Sequence, residues 1–396
     1  MDVDGVWSIL RCPIRRVRCI SRPKDEGAAR YILDNRFRFA IPIVLLGVLK
    51  IYGAIWIYHK FLQNGVFQTR WMGIFNAPLV PKWLYLFVAW DTSWYVGLAH
   101  FYTVGHTFFP GYPFLIKLIG SVVGNSWTAA IALSIVFGFV LLPVFQGIAE
   151  SYMSKGEALG STLIMGSFPY VFVYTTVAYS ESLFLFSVLA AWYCYVKGKL
   201  CFASLFAVLA TFTKTYGVLI VLPMLLDAIA HRKWRRIPLT LVPAILVGVF
   251  IFLFRSQSLL EHMILEINTA TWSVSPGGTG YFWVRDFVAP VFSFDRPVVL
   301  FDYWHGFALV FIALSGCLAI YSARTDWRLG VYSTALFLII IFFGFINGLI
   351  RYLSFVFPIW LSFRTRNPLV LLPLVSLFYI HSLILWQQFL ASHLPL

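Results

Sequence analysis

Charge is scarce in this chain. Only 12% of its 396 residues are Asp, Glu, Lys or Arg, against about 25% in an ordinary soluble domain. That shortage excludes a solvated surface over most of the length. Acidic residues are scarcer still, 16 against 30 Lys and Arg. The five cysteines supply neither a disulfide framework nor a zinc set. Cys194, Cys201 and Cys317 lie in or beside apolar runs, and the spacing of Cys12 and Cys19 in a basic tail is not that of zinc ligands. All five read as free thiols. No cleavable signal peptide is expected, because the first long apolar run starts only near Phe39, after nine basic residues. Internal repeats and low-complexity tracts are also missing.

What the chain has instead is oil. It is 60% hydrophobic, with a mean hydropathy of +0.82. A membrane-crossing helix needs about 20 predominantly apolar residues. Eleven stretches read as spans: 38–59, 127–149, 159–177, 181–196, 200–213, 216–230, 237–254, 299–320, 330–346, 350–363 and 368–389. The expected fold class is therefore all-α, a polytopic membrane protein. It comprises a basic cytoplasmic tail over 1–37 and one transmembrane domain over 38–396. Several spans are short, and broken helices are tolerated at membrane depth only where they line a cavity or are buried in protein.

The basic residues give an orientation. With the N-terminus in the cytoplasm, the inner segments hold 20 Lys and Arg and the outer segments hold 8, leaving Lys50 and Lys214 inside apolar runs. Clusters between apolar runs, with a juxtamembrane tail, point to topology and anionic lipid heads rather than nucleic acid. Two outer segments are long, 60–126 and 255–298. The first includes "GYPFLIKLIGSVVG", which reads as an interfacial or re-entrant helix. The second includes "SVSPGGTGYFW", a glycine-rich loop with no Lys-Ser/Thr behind it and hence no phosphate loop.

Ionisable residues at membrane depth are expensive and mark function. Of seven outer carboxylates, Asp91 and Glu181 sit against apolar sequence. Asp91 opens "DTSWYVGLAHFY", where it could cap a helix or aim a carboxylate into an aromatic pocket of Trp90, Trp94 and Tyr95. Glu181 begins a span in "YSESLF" beside Ser180, where the helix dipole alone would favour it. Lys214 in "TFTKTYG" could snorkel to the interface or hold an anion. Arg351 in "NGLIRYLSFVFP", next to Tyr352, offers the better phosphate fork. His100 and His106 share the first outer loop with Asp91, at a spacing that argues against a metal. An acid plus cations suits a lipid-phosphate donor: the carboxylate takes a proton from an incoming hydroxyl, and the cations hold the departing phosphate.

In this order, "WDTSWY", "FFPGYP", "PYVFVYTTVAYSESLFLFS", "ATFTKTYGVLI" and "RYLSFVFPIW" resemble the motifs of the GPI mannosyltransferase 2 family, C-type membrane glycosyltransferases. Its eukaryotic members add the second, α1,6-linked mannose to the GPI precursor. The resemblance runs from about Trp90 to Pro358. It implies an inverting transfer from a dolichyl- or polyprenyl-phosphate mannose donor to a glycan or glycolipid acceptor on the outer or luminal face. It implies Asp91 as base, and Trp90, Trp94, Tyr95, Ser180 and Glu181 around the donor sugar. Arg351, Lys214, His106 and Tyr352 would meet the phosphate. It implies no cofactor, no divalent metal and no nucleic-acid partner. The lysine of "TFTKTYG" stands where the family pattern has an arginine. The chain is also short for a eukaryotic member, which suggests a prokaryotic, archaeal-type relative in a cell membrane rather than one in the endoplasmic reticulum. The rival expectations are a lipid or sugar transporter, whose intramembrane charges would look alike, and a non-catalytic assembly subunit.

Overall fold

A computed structural model describes residues 36–64, 81–101, 108–255, 303–343 and 348–390. The described residues are helical, without strands. Four helical stretches are long and apolar enough to cross a membrane: Phe37–Lys60, Ser126–Ala149, Trp234–Leu253 and Pro368–Leu390. The first holds α1 (Ala40–Asn64) behind a short 3-10 turn. A 3-10 helix, Lys82–Phe87, then leads to α2 (Asp91–His100) and α3 (Gly111–Val123). The second long stretch is α4 (Ser126–Ala149), capped by the Asn125 side chain accepting the Thr128 N–H.

The stretch read as one span over 159–177 is two helices, α5 (Lys155–Ser167) and α6 (Pro169–Tyr174). Pro169 explains the break. Its ring forbids a helical residue before it, and Phe168 takes an extended ψ of 132°. Next come α7 (Glu181–Val196), α8 (Leu200–Thr213), a 3-10 helix Thr215–Ile220 running into α9 (Val221–Ala230), and α10 (Ile237–Arg255). After the undescribed segment come α11 (Tyr303–Tyr321) and α12 (Trp327–Phe343). The stretch 350–363 is likewise broken, into α13 (Leu349–Ser354) and a 3-10 helix Phe357–Ser362, before α14 (Pro368–Leu390). The stretch 111–124, read as interfacial or re-entrant, is the amphipathic α3.

The centre belongs to α5, α6 and α7, whose side chains are almost all buried, Trp192, Phe184 and Phe172 among them. Three of the four long stretches lie outside, the first, third and last being 28%, 17% and 22% buried, whereas α4 is 44% buried against the centre. Polar contacts gather at two ends. At one, Arg38 grips Glu150 at 2.6 and 2.8 Å, and Tyr152 donates to Asp326. There too Arg364 donates to Thr325, and Asp227 accepts from Tyr195 at 2.6 Å beside Arg328. These are segments that the charge count places together. The other end carries the site.

Candidate functional site

Four charged side chains, far apart in sequence, form a line. Asp91 Oδ2 lies 3.6 Å from Arg351 Nη1, Arg351 Nε lies 3.4 Å from Glu181 Oε1, and Glu181 Oε1 accepts from Lys214 Nζ at 3.1 Å. Signs alternate, so the line carries no net charge. Arg351 is 11% exposed, Lys214 12%, Glu181 1%, and Asp91 31%. Burying such charges is tolerable only because they are paired. Aromatic faces complete the setting. The Arg351 guanidinium sits 4.7 Å from the Tyr352 ring centre, 5.1 Å from Tyr174 and 5.6 Å from Tyr179, within cation–π range. Its Nη2 also donates to the Tyr352 hydroxyl at 2.7 Å.

Local sequence explains the placement. Glu181 is the first residue of α7, so the positive end of the helix meets its carboxylate. Lys214 follows the last residue of α8, where extended backbone ends the helix (ψ 128°). Gly111 of "FFPGYP" lets α3 lie directly against that end. A Cβ there would stand 2.6 Å from the Phe212 carbonyl oxygen. Tyr112 then reaches Ser134 at 2.8 Å, and Ser134 both donates to the Tyr179 carbonyl and accepts its N–H. The motif thus sets the height of Tyr179, and the Tyr179 hydroxyl accepts the Asp91 backbone N–H at 3.1 Å.

The reading of Asp91 as a helix cap is corrected here. The residue in the cap position is Trp90, and no side chain caps α2. The first free N–H groups of α2 find other acceptors, the Ala89 and Trp90 carbonyls and the Tyr179 hydroxyl. Asp91 is left to face Arg351. Trp90 has φ +50° and ψ −117°, an unfavourable conformation for a bulky residue. Its indole donates to the Phe389 carbonyl at 3.0 Å, and Trp386 donates to the Leu86 carbonyl at 2.8 Å. Helix α14 therefore clasps the loop that presents Asp91.

The structure brings Asp91, Glu181, Lys214, Arg351 and Tyr352 together. Tyr95 and Ser180 lie behind them, both buried, with hydroxyls 2.8 Å apart. Trp94 is 38% exposed. His106 lies outside the described residues, and His100 contacts Ser126 Oγ at 3.1 Å instead of the charged line. Tyr174 and Tyr179 are missed by sequence reasoning, although their stretch is part of the family resemblance; nothing in it marks those two tyrosines as the rings beneath an arginine. Among the described residues, the buried atoms Glu181 Oε2, Ser182 Oγ and Arg351 Nε have no hydrogen-bond partner. No cluster of three or more His, Cys, Asp or Glu suited to a metal occurs among the described residues.

Comparison with protein-family models gives no match, and comparison with curated proteins gives no significant relative. The likeness to the GPI mannosyltransferase 2 family accordingly rests on the short motifs alone.

Proposed function

We propose that this chain is a membrane-embedded inverting glycosyltransferase. It would move mannose from a polyprenyl- or dolichyl-phosphate donor to a hydroxyl of a lipid-linked or glycan acceptor, with Asp91 as general base. The observation that carries this reading is the unequal treatment of the two carboxylates. Glu181 is held by both cations and shut from solvent. Asp91 touches one cation, at a distance too long for a hydrogen bond, and is the more open of the two. It is the carboxylate an incoming hydroxyl can reach.

The step balances without another reagent. The acceptor oxygen attacks the anomeric carbon, its proton passes to Asp91, and the bond to the phosphate oxygen breaks with its electron pair. Arg351 and Lys214 neutralise the charge that grows there. Tyr352 helps to orient Arg351. One carboxylate acting as base, with none attacking carbon, gives a single displacement and inversion. Trp90 and Trp94 can border the sugar ring.

Purified protein given radiolabelled polyprenyl-phosphate mannose and a membrane glycolipid extract should transfer label at a rate proportional to enzyme. Label that never leaves the donor would remove the proposal. Movement of intact donor across vesicles without transfer would replace it with a transporter.

A further inference from the structure

We propose that the turn joining α9 to α10 binds the headgroup of an anionic phospholipid, at the end of the molecule away from Asp91. Such binding is independent of the transferase reading. The turn reads "HRKWRR", residues 231–236, and it closes one of two helix ends that are built alike. At the end of α7, the Gly198 N–H meets the Tyr195 carbonyl and the Lys199 N–H meets the Cys194 carbonyl, at 2.9 and 2.8 Å. At the end of α9, the Arg232 N–H meets the Ile229 carbonyl and the Lys233 N–H meets the Ala228 carbonyl, at 3.0 and 2.7 Å. Both are Schellman closures, which turn on one left-handed residue. Gly198 supplies it without strain, at φ +75°. In the second closure the same position holds Arg232, at φ +52°, a conformation that residues other than glycine seldom adopt. Backbone geometry alone would favour glycine there too. A strained residue standing where glycine would be free points to a use for its side chain.

The use is not internal. The acid at this helix end, Asp227, accepts from Tyr195 at 2.6 Å and is already flanked by His231 at 3.3 Å, Lys233 at 3.4 Å and Arg328 at 3.4 Å. Lys233 is thereby turned inward. Arg232 and Arg235 are exposed, and among the described residues neither side chain has a hydrogen bond or an ion pair. Between them in sequence lies Trp234, 60% exposed. Trp234 also opens the stretch Trp234–Leu253, which is long and apolar enough to cross a membrane and only 17% buried. Its ring therefore stands where a span meets water, the level at which tryptophan anchors among headgroups. What lies at that level is a lipid leaflet. Guanidinium groups with no internal anion suit its phosphate-bearing, negatively charged members. The position selects lipid over nucleic acid or an acidic protein, and the charge selects anionic over zwitterionic lipid.

The test places the whole protein in phosphatidylcholine vesicles with increasing phosphatidylglycerol that carries a diazirine beside its headgroup. Light should attach this lipid to the peptide containing residues 231–236. In Arg232→Gly and in Arg235→Gln, the phosphatidylglycerol fraction giving half-maximal labelling should rise about fivefold, the usual worth of one Lys or Arg beside an anionic surface. Arg366→Gln, which removes another exposed arginine from the same end, should leave the curve in place. The melting temperature of Arg232→Gly should stay level or rise, because glycine relieves the strain. Unchanged labelling with a lowered melting temperature in Arg232→Gly would make the arginine a helix-end support and overturn the proposal. So would an equal shift in Arg366→Gln, which would mean a diffuse field without a site. A matching phosphatidylcholine probe that labels the turn as heavily would remove the charge selection and the proposal with it. Displacement of the lipid probe by a polyuridine oligonucleotide at equal phosphate concentration would hand the turn to nucleic acid instead. If Arg232→Gly fails to fold, the strain argument fails, and the Arg235→Gln curve alone decides whether lipid binds there.

Discussion

At the scale of single residues, Asp91 and Glu181 look interchangeable in sequence, each an acid heading a helical run in apolar surroundings. Their partners separate them. Asp91→Asn removes basicity and one long ion-pair contact, and no helix cap is lost. The variant should fold, with melting shifted by at most a few degrees. Transfer should fall about 10²–10⁴-fold, the usual worth of a positioned base; wild-type turnover would move the base to another carboxylate. Glu181→Gln should behave differently. It leaves Arg351 and Lys214 without their shared buried anion, a loss worth about 3–5 kcal/mol when a buried pair is broken. Thermal unfolding in detergent should therefore rank Glu181→Gln well below Asp91→Asn. Arg351→Lys keeps the charge and loses the planar fork, so turnover should drop in folded protein. Equal activity would make Arg351 a purely structural partner of Glu181. The sequence singles out all four charged residues, since ions are conspicuous in oil. It cannot show that Arg351 stands between two acids, because Asp91 and Arg351 meet only through tertiary packing.

Secondary-structure elements were the more readable level. Apolar runs and breakers place nearly every helix, and Pro169 marks its break openly. What stayed hidden is how closely elements approach. Gly138, in the middle of α4, sits against the Thr175 carbonyl, and a Cβ there would stand 2.3 Å from that oxygen. This contact fixes the segment 174–179, which gives Tyr174 and Tyr179 to Arg351 and Thr175 to Lys50. Gly138→Ala must push the segment away, an overpacking cost of about 1–3 kcal/mol. A lowered melting temperature and weakened transfer are expected together. An unchanged melting temperature would mean that the segment yields freely. Trp90 was hidden for a related reason: a bulky residue at positive φ contradicts local preference, and the clasp from α14 helps to hold it there.

For the molecule as a whole, the charge count along the chain grouped loops that do meet at one end, through Arg38–Glu150, Tyr152–Asp326 and Arg364–Thr325. In a cysteine-free background, a membrane-impermeant thiol reagent should label Ser121→Cys in intact cells, and Lys155→Cys only after permeabilisation. The reverse pattern would invert the topology. The two ends differ in depth as well as in charge. Phe137 of α4 lies beside Phe186 of α7, with ring centres 4.9 Å apart. From there Glu181 is five residues along, whereas α4 continues eleven residues to Ser126. Six residues at ~1.5 Å each sink the carboxylates about 9 Å beneath the rim of α4. On the proposed transferase reading, the chemistry would run below the level of the helix ends. A lipid phosphate would then leave the plane of its neighbours' headgroups and dip toward the hydrocarbon to react. Flexible lipid carriers that can sag would suit that descent, and water, the competing acceptor, would be scarcer there than among the headgroups.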